Sequence, residues 1–238
     1  MSLEIPIVLT GTIVPNTNVR LQHLDPEIRR REYLNCINFY RSFAPVYFLE
    51  NSAYPVEEDR EFTSIPNVKI RKFPLSSFPE KGRGFQEFQM LDAWVKSEHN
   101  IPSKWLKVTG RYLYTNISEI LSECDRHQDK SLIINQYLSS NRAVVALFFA
   151  NTEYYKQNLM GIYNICDDEK DLIIERAINF KLRFLEKTEF KRFKTYPEAK
   201  GSLGGSGKEM SNDLTDKINS FILNANYAFD RHYIWLSF

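Results

Sequence analysis

Short continuous runs of β-branched and aromatic residues alternate with helically spaced segments along the first two thirds of this chain, and that alternation constrains its fold most. Residues 5–10 (IPIVLT) lack the polar interleaving of a half-exposed strand, which suits a strand buried on both faces of a parallel sheet. Asp25-Pro26 then offers an N-cap and a proline at the first helical position. Tyr33, Leu34, Ile37 and Tyr40 recur behind it at helical spacing, with arginines on the opposite face. Residues 46–49 (VYFL) form a second buried strand, so the chain opens on a strand–helix–strand unit.

The alternation predicts a less buried strand over 68–73, a helix over 85–95, a strand over 105–109 and a short helix over 116–124. Strands follow over 131–137 and 143–149, and Asn151 caps a helix running to Tyr163. Beyond it the pattern is helical. Asp168 is read as the cap of a helix over 171–186, with Ile173, Ala177, Phe180, Leu182 and Leu185 on its apolar face. A last helix spans about 213–225. No repeat and no linker divides the chain. The expected fold is α/β, one domain over 1–238, with a mainly parallel central sheet and a helical C-terminal third. At 238 residues and 43% hydrophobic the chain can bury such a core.

Charge and thiols narrow the function. Thirty-one Lys+Arg against 30 Asp+Glu leave a net charge of +1, which removes the general electrostatic case for nucleic-acid binding. Cys36, Cys124 and Cys166 are odd in number and far apart, neither a disulfide framework nor a thiolate metal site. No run approaches the roughly 18 apolar residues of a membrane span, and the N-terminus lacks a signal-peptide pattern, so a cytoplasmic location is expected.

In an open α/β sheet, ligands bind beyond the carboxyl ends of the parallel strands. The residues at those ends are Thr10-Gly11-Thr12, Glu50-Asn51 and Thr109-Gly110-Arg111, with Lys81-Gly82-Arg83-Gly84 just before a helix. A basic glycine turn at a helix start favours an anion through free amides, the helix dipole and added charge; Glu87 lies in the first turn. The turn after the first strand, GTIVPN, lacks G-x-G-x-x-G, which disfavours a Rossmann dinucleotide site. The segment from Gly201 to Lys208 fails the Walker spacing and follows no strand, leaving either a plain loop or a lid whose Ser206, Gly207 and Lys208 close over a phosphate. The four histidines show no metal-ligand spacing, and no G-x-S-x-G is present. Asp167-Asp168 looks like a metal pair but suits a helix start. Tyr112, Tyr114 and Phe149 lie at strand ends, where a ring could stack on a base or a sugar.

The order of these segments resembles a GT-A-type nucleotide-sugar glycosyltransferase, Rossmann-like in layout, of the kind that builds bacterial surface polysaccharide and lipopolysaccharide. IVLTGTI, VYFLENS, KGRGFQEFQMLDAW, WLKVTGRY and AVVALFFANTEYYKQNLMGIY carry the resemblance. It implies a nucleotide-binding part over about 3–115, an acceptor-side part over about 116–238, a nucleotide-sugar donor, and a saccharide or glycolipid acceptor with peripheral membrane contact left open. Glu50, Glu87 and Glu175 are the candidate bases. The family's D-x-D, which holds Mn²⁺ or Mg²⁺, is missing after the central strand, where Thr109-Gly110-Arg111 stands instead; Glu57-x-Asp59 and Glu123-x-Asp125 have the spacing but not the place. The simplest inference is that Arg111, Lys81 and Lys208 replace the metal and neutralise the leaving group, with Mn²⁺ or Mg²⁺ left open as a cofactor. The alternatives are a nucleotidyltransferase and a non-catalytic nucleotide- or sugar-binding module.

Overall fold

The computed structural model describes residues 4–16, 25–97, 100–137, 141–184 and 189–201. The strands are β1 (Ile7–Gly11), β2 (Val46–Glu50), β3 (Val68–Lys72), β4 (Lys104–Thr109), β5 (Leu113–Tyr114), β6 (Leu132–Gln136), β7 (Ala143–Asn151), β8 (Phe190–Lys191) and β9 (Ala199–Lys200). The α-helices are α1 (Pro26–Tyr40), α2 (Arg60–Thr63), α3 (Arg83–Ser97), α4 (Ile117–Arg126), α5 (Thr152–Asn158) and α6 (Ile174–Leu182). Among the described residues, seven strands form one sheet in the order β3-β2-β1-β4-β7-β6-β8, while β5 and β9 pair separately. Every neighbouring pair in the large sheet is parallel except those that β7 makes with β4 and β6. The fold is therefore α/β with a mostly parallel central sheet.

The period-2 alternation of side chains splits the core into two layers. Val8, Leu49, Trp105 and Phe148 face α3, α5 and α6, where Trp94, Tyr155 and Ile178 meet them. Leu9, Phe48, Val108 and Phe149 face the opposite way, onto Tyr33, Ile37 and Tyr40 of α1 and Ile120 of α4. Burial of both faces explains why β1 and β2 are apolar from end to end. The α1 start is as the sequence implies: Asp25 accepts from the amides of Glu27 and Ile28 ahead of Pro26.

Two boundaries differ from the sequence reading. α5 stops at Asn158, not Tyr163, because Gly161 adopts a left-handed φ of +81° and its amide donates to Asp92 Oδ2 at 2.6 Å; a short 3₁₀ turn, Ile162–Ile165, follows. The next α-helix begins at Ile174, not at Asp171. Asp168 does not cap it: Asp167 accepts from the Lys170 amide in a 3₁₀ turn, and Asp171 takes a φ of +59°. The described part of the C-terminal third also adds β8 and β9 to its helices. Glu123 fastens that stretch to α4, accepting from Lys191 Nζ and from the amides of Lys194 and Thr195, each at 2.8 Å. Glu123 is thus committed to the fold. Asp59 likewise caps α2 and pairs with Arg30 at 2.8 Å. The expected helix over about 213–225 lies outside the described residues.

Candidate active site

Parallel strands that end level leave the tips of β1 and β4 side by side, beneath the first turns of α3 and α6. A cavity of about 560 Å³ opens at that place. Thr10, Gly11, Thr12 and Thr109 line it from the strand ends, Arg83, Gly84 and Glu87 from α3, and Ile174 and Glu175 from α6. Gln86 and Asn16 also line it, and each buries a polar atom that has no partner among the described residues, the Gln86 Nε2 donor and the Asn16 Oδ1 acceptor.

The most unusual group at the site is Lys107. It lies in the middle of β4, fully buried among the aromatics of the core. Its ammonium has three protons and three acceptors: Glu87 Oε1 at 2.6 Å, Thr109 Oγ1 at 2.9 Å and Val145 O at 2.8 Å. Burial lowers the Lys107 pKa, and the adjacent Glu87 charge opposes that shift. Glu87 Oε1 also accepts from Thr10 Oγ1 at 2.5 Å and from Thr109 Oγ1 at 3.3 Å. Glu175, in the same cavity, has no such cation clamped to it among the described residues. Burial raises its pKa, Glu87 and Asp168 add to the rise, and Arg83 opposes it.

Four arginines open on this cavity: Arg29 from α1, Arg83 at the start of α3, Arg111 after β4 and Arg142 before β7. Arg29 is buried, not on a solvent face as the α1 periodicity suggests; it donates from Nε to Thr12 O at 2.8 Å and Ile13 O at 3.2 Å. Burial lowers its pKa, and repulsion from Arg111 and Arg83 adds to the effect. Arg111 pairs with Glu32 at 2.8 Å. Neither Arg83 nor Arg142 has an ion pair or side-chain hydrogen bond among the described residues.

Of the sequence candidates, the structure brings together Thr10, Gly11, Thr12, Arg83, Gly84, Glu87, Thr109, Arg111 and Glu175. Glu50 and Asn51 stand apart from the cavity. Glu50 is fully buried and accepts from the Ile13 amide at 3.1 Å, the Ser52 amide at 3.0 Å and Lys72 Nζ, so it pins the loop after β1. Its carboxylate has no free oxygen for a base's work. Asn51 accepts from Thr12 Oγ1 at 2.6 Å and donates to Gln86 O at 3.2 Å. Lys81 lies over the rings of Phe78 and Phe85, 5.0 and 4.9 Å from their centroids, rather than in the cavity.

Gly82 and Gly110 serve close packing. A Cβ on Gly82 would fall 2.1 Å from Asp168 Oδ2, so a carboxylate already sits against the turn that opens α3; a Cβ on Gly110 would fall 2.8 Å from Thr10 O. Ser206, Gly207 and Lys208 lie outside the described residues. The sequence reading missed Arg29, Lys107 and Arg142. Lys107 alone left a trace, as the one charged residue inside the WLKVT strand.

Among the described residues no group of three or more His, Cys, Asp or Glu is arranged for a metal, and Glu87 is bound to the Lys107 ammonium.

No family model matches the chain, and no curated protein matches it. Solved structures do. A Bacillus anthracis chain described as a glucose-1-phosphate thymidylyltransferase matches at 12% identity and a TM-score of 0.47, covering 93% of this chain and 94% of that one. Mouse xyloside xylosyltransferase 1 matches at 11% and 0.48, covering 80% and 85%. A CMP:2-keto-3-deoxy-manno-octonic acid synthetase complexed with CTP matches at 8% and 0.48, covering 92% and 98%. At such identities and scores the chemistry has to be read from the residues. No helix among those described is long and apolar enough to cross a membrane.

Proposed function

We propose that this chain is a glycosyltransferase that moves a sugar from a nucleotide-sugar donor to a saccharide or glycolipid hydroxyl, as the sequence resemblance implies, and that arginines do the work of a metal. The observation that carries the reading is the meeting of four arginines with Glu87 and Glu175 in one cavity at the strand ends. Anionic leaving groups need charge neutralisation, and guanidinium groups grip phosphate oxygens in planar, two-pronged fashion. Arg83 and Arg142, which pair with no carboxylate among the described residues, supply that charge with Arg29 and Arg111 behind them.

The step is a direct displacement. The acceptor oxygen attacks the anomeric carbon, the bond from that carbon to the phosphate oxygen breaks, and the nucleotide leaves with the electron pair. The acceptor proton passes to a carboxylate. Glu175 suits this role better than Glu87, since a raised pKa makes a stronger base near neutral pH while Glu87 is tied to Lys107. The chain acts as one unit in the cytoplasm, with most of the donor side drawn from residues 3–115 and Arg142 joining it from the acceptor-side part.

Incubation with UDP-, GDP- and CMP-sugars in EDTA, with a panel of saccharide acceptors, tests this directly. Transfer with release of the free nucleotide is expected, unchanged by the chelator. Loss of activity in EDTA that Mn²⁺ restores overturns the arginine assignment. Pyrophosphate release from a nucleoside triphosphate and a sugar phosphate makes the protein a nucleotidyltransferase instead.

A further inference from the structure

Glu87 is divided by its surroundings. Oε1 accepts from Lys107, Thr10 and Thr109, whereas Oε2 has no partner among the described residues. Oε2 is not a buried orphan either; the side chain keeps a fifth of its surface exposed, and the residue lines the cavity. A carboxylate free to rotate would offer both oxygens to water. Here the three donors on Oε1 fix the plane of the group, which leaves Oε2 as the one oxygen that this cavity-lining carboxylate can offer. Two of the three donor atoms, Thr10 Oγ1 and Thr109 Oγ1, come from the neighbouring ends of β1 and β4, and the third comes from Lys107 in the middle of β4.

We propose that Lys107 is a positioning residue that clamps Glu87 so that Glu87 Oε2 accepts a hydrogen bond from a hydroxyl of the transferred sugar. This rests on the donor being a nucleotide sugar. The chemistry selects the ligand: an acceptor-only oxygen, held in a fixed direction, attracts a hydroxyl and repels phosphate oxygens. Arginines and Glu87 thereby divide the cavity into a part for the diphosphate and a part for the sugar. Lys107 is not itself in contact with ligand, because all three of its protons are taken.

The test is calorimetric and needs no turnover. UDP, GDP and CMP are titrated alongside UDP-glucose, GDP-mannose and CMP-sialic acid, into the native chain and into Glu87→Gln and Lys107→Met. In Glu87→Gln, Oε1 still answers Lys107, so the amide NH₂ points where Oε2 stood and offers a donor in place of an acceptor. The sugar is expected to add affinity in the native chain, and each variant to lose at least tenfold of that increment, about 1.4 kcal/mol, the increment being the ratio of nucleotide-sugar to bare-nucleotide affinity in the same variant, which cancels the effect of the altered charge on the phosphates. A sugar increment that is absent, or that survives in Glu87→Gln, overturns the assignment of Glu87. An increment lost in Glu87→Gln but kept in folded Lys107→Met overturns the clamp. Should Lys107→Met fail to fold, Thr10→Val, which removes another donor to Oε1, is expected to weaken the increment and decides in its place; an intact increment there overturns the clamp. Failure of every nucleotide to bind sinks the functional reading itself, and this inference with it.

Discussion

Glu175 shows how a single residue's environment sets both chemistry and stability. Its pKa in the folded chain lies above the ordinary 4.5, first through burial and then through the charges of Glu87 and Asp168. A carboxyl group whose pKa rises on folding favours the native state only when protonated. Its charge therefore costs stability at every pH above the folded value, and the cost disappears below 4.5, where both states are protonated. Glu175→Gln is expected to raise the melting temperature at pH 7, with no gain at pH 4, while transfer falls by about 10²-fold or more. An equal shift at both pH values would mean the gain came from packing rather than from relieved charge. If Glu175 is the base proposed above, the acid limb of the native pH–rate profile should lie above the range of an ordinary glutamate, since its protonation would remove the base. None of this was legible in the sequence beyond the carboxylate's presence. Its depth, and its two acidic neighbours, come from α6 folding against α3 and from the 168–170 turn folding against the turn that precedes α3.

At the scale of elements, what the sequence announced were the buried strands and the start of α1, because runs such as VYFL and the pair Asp25-Pro26 act locally. What it hid were ends set by distant partners. α5 stops where Asp92, on α3, takes the amide of Gly161. Arg29 reads as a solvent-facing helix residue until the loop after β1 folds over it and supplies its carbonyl acceptors. The turn before α3 belongs to the same class. Gly82 has φ +89° and ψ −178°, a region nearly closed to side chains, and its missing Cβ would strike the Asp168 carboxylate. Gly161 has φ +81°, but its nearest atom to a Cβ would be the end of Asn164 at 3.5 Å. Gly161→Ala should therefore cost only the left-handed backbone penalty, about 1–2 kcal/mol. Gly82→Ala should cost more, because backbone strain and collision add, and it should displace Arg83 from the cavity. Urea denaturation of the two variants measures the difference. Equal losses would show that Asp168 moves aside freely.

For the whole molecule, one sheet serves two core layers, and the thiols report on both. Cys36 and Cys124 are buried in the layer under α1 and α4, Cys166 in the layer under α3, α5 and α6. Burial pushes Cys36 and Cys166 up to about 12 and raises Cys124 as well, so the reactive thiolate is scarce in the native state at pH 8. Labelling by a thiol reagent then depends on opening the core. The two layers share β1, β2 and β4, each buried on both faces, so neither layer can open without exposing strands that the other packs on. One cooperative unit follows, and all three thiols should become reactive together, at the denaturant concentration where the far-ultraviolet dichroism is lost. A ligand held in the cavity touches elements of both layers, Arg29 on one side and Glu175 on the other. Saturating nucleotide should therefore protect all three cysteines by the same factor, since binding to the native state alone lowers every opening that destroys the site. Protection of Cys166 without Cys36 and Cys124 would instead show that the α3–α6 layer opens by itself, and that the cavity's arginines and carboxylates are carried by separable parts of the chain.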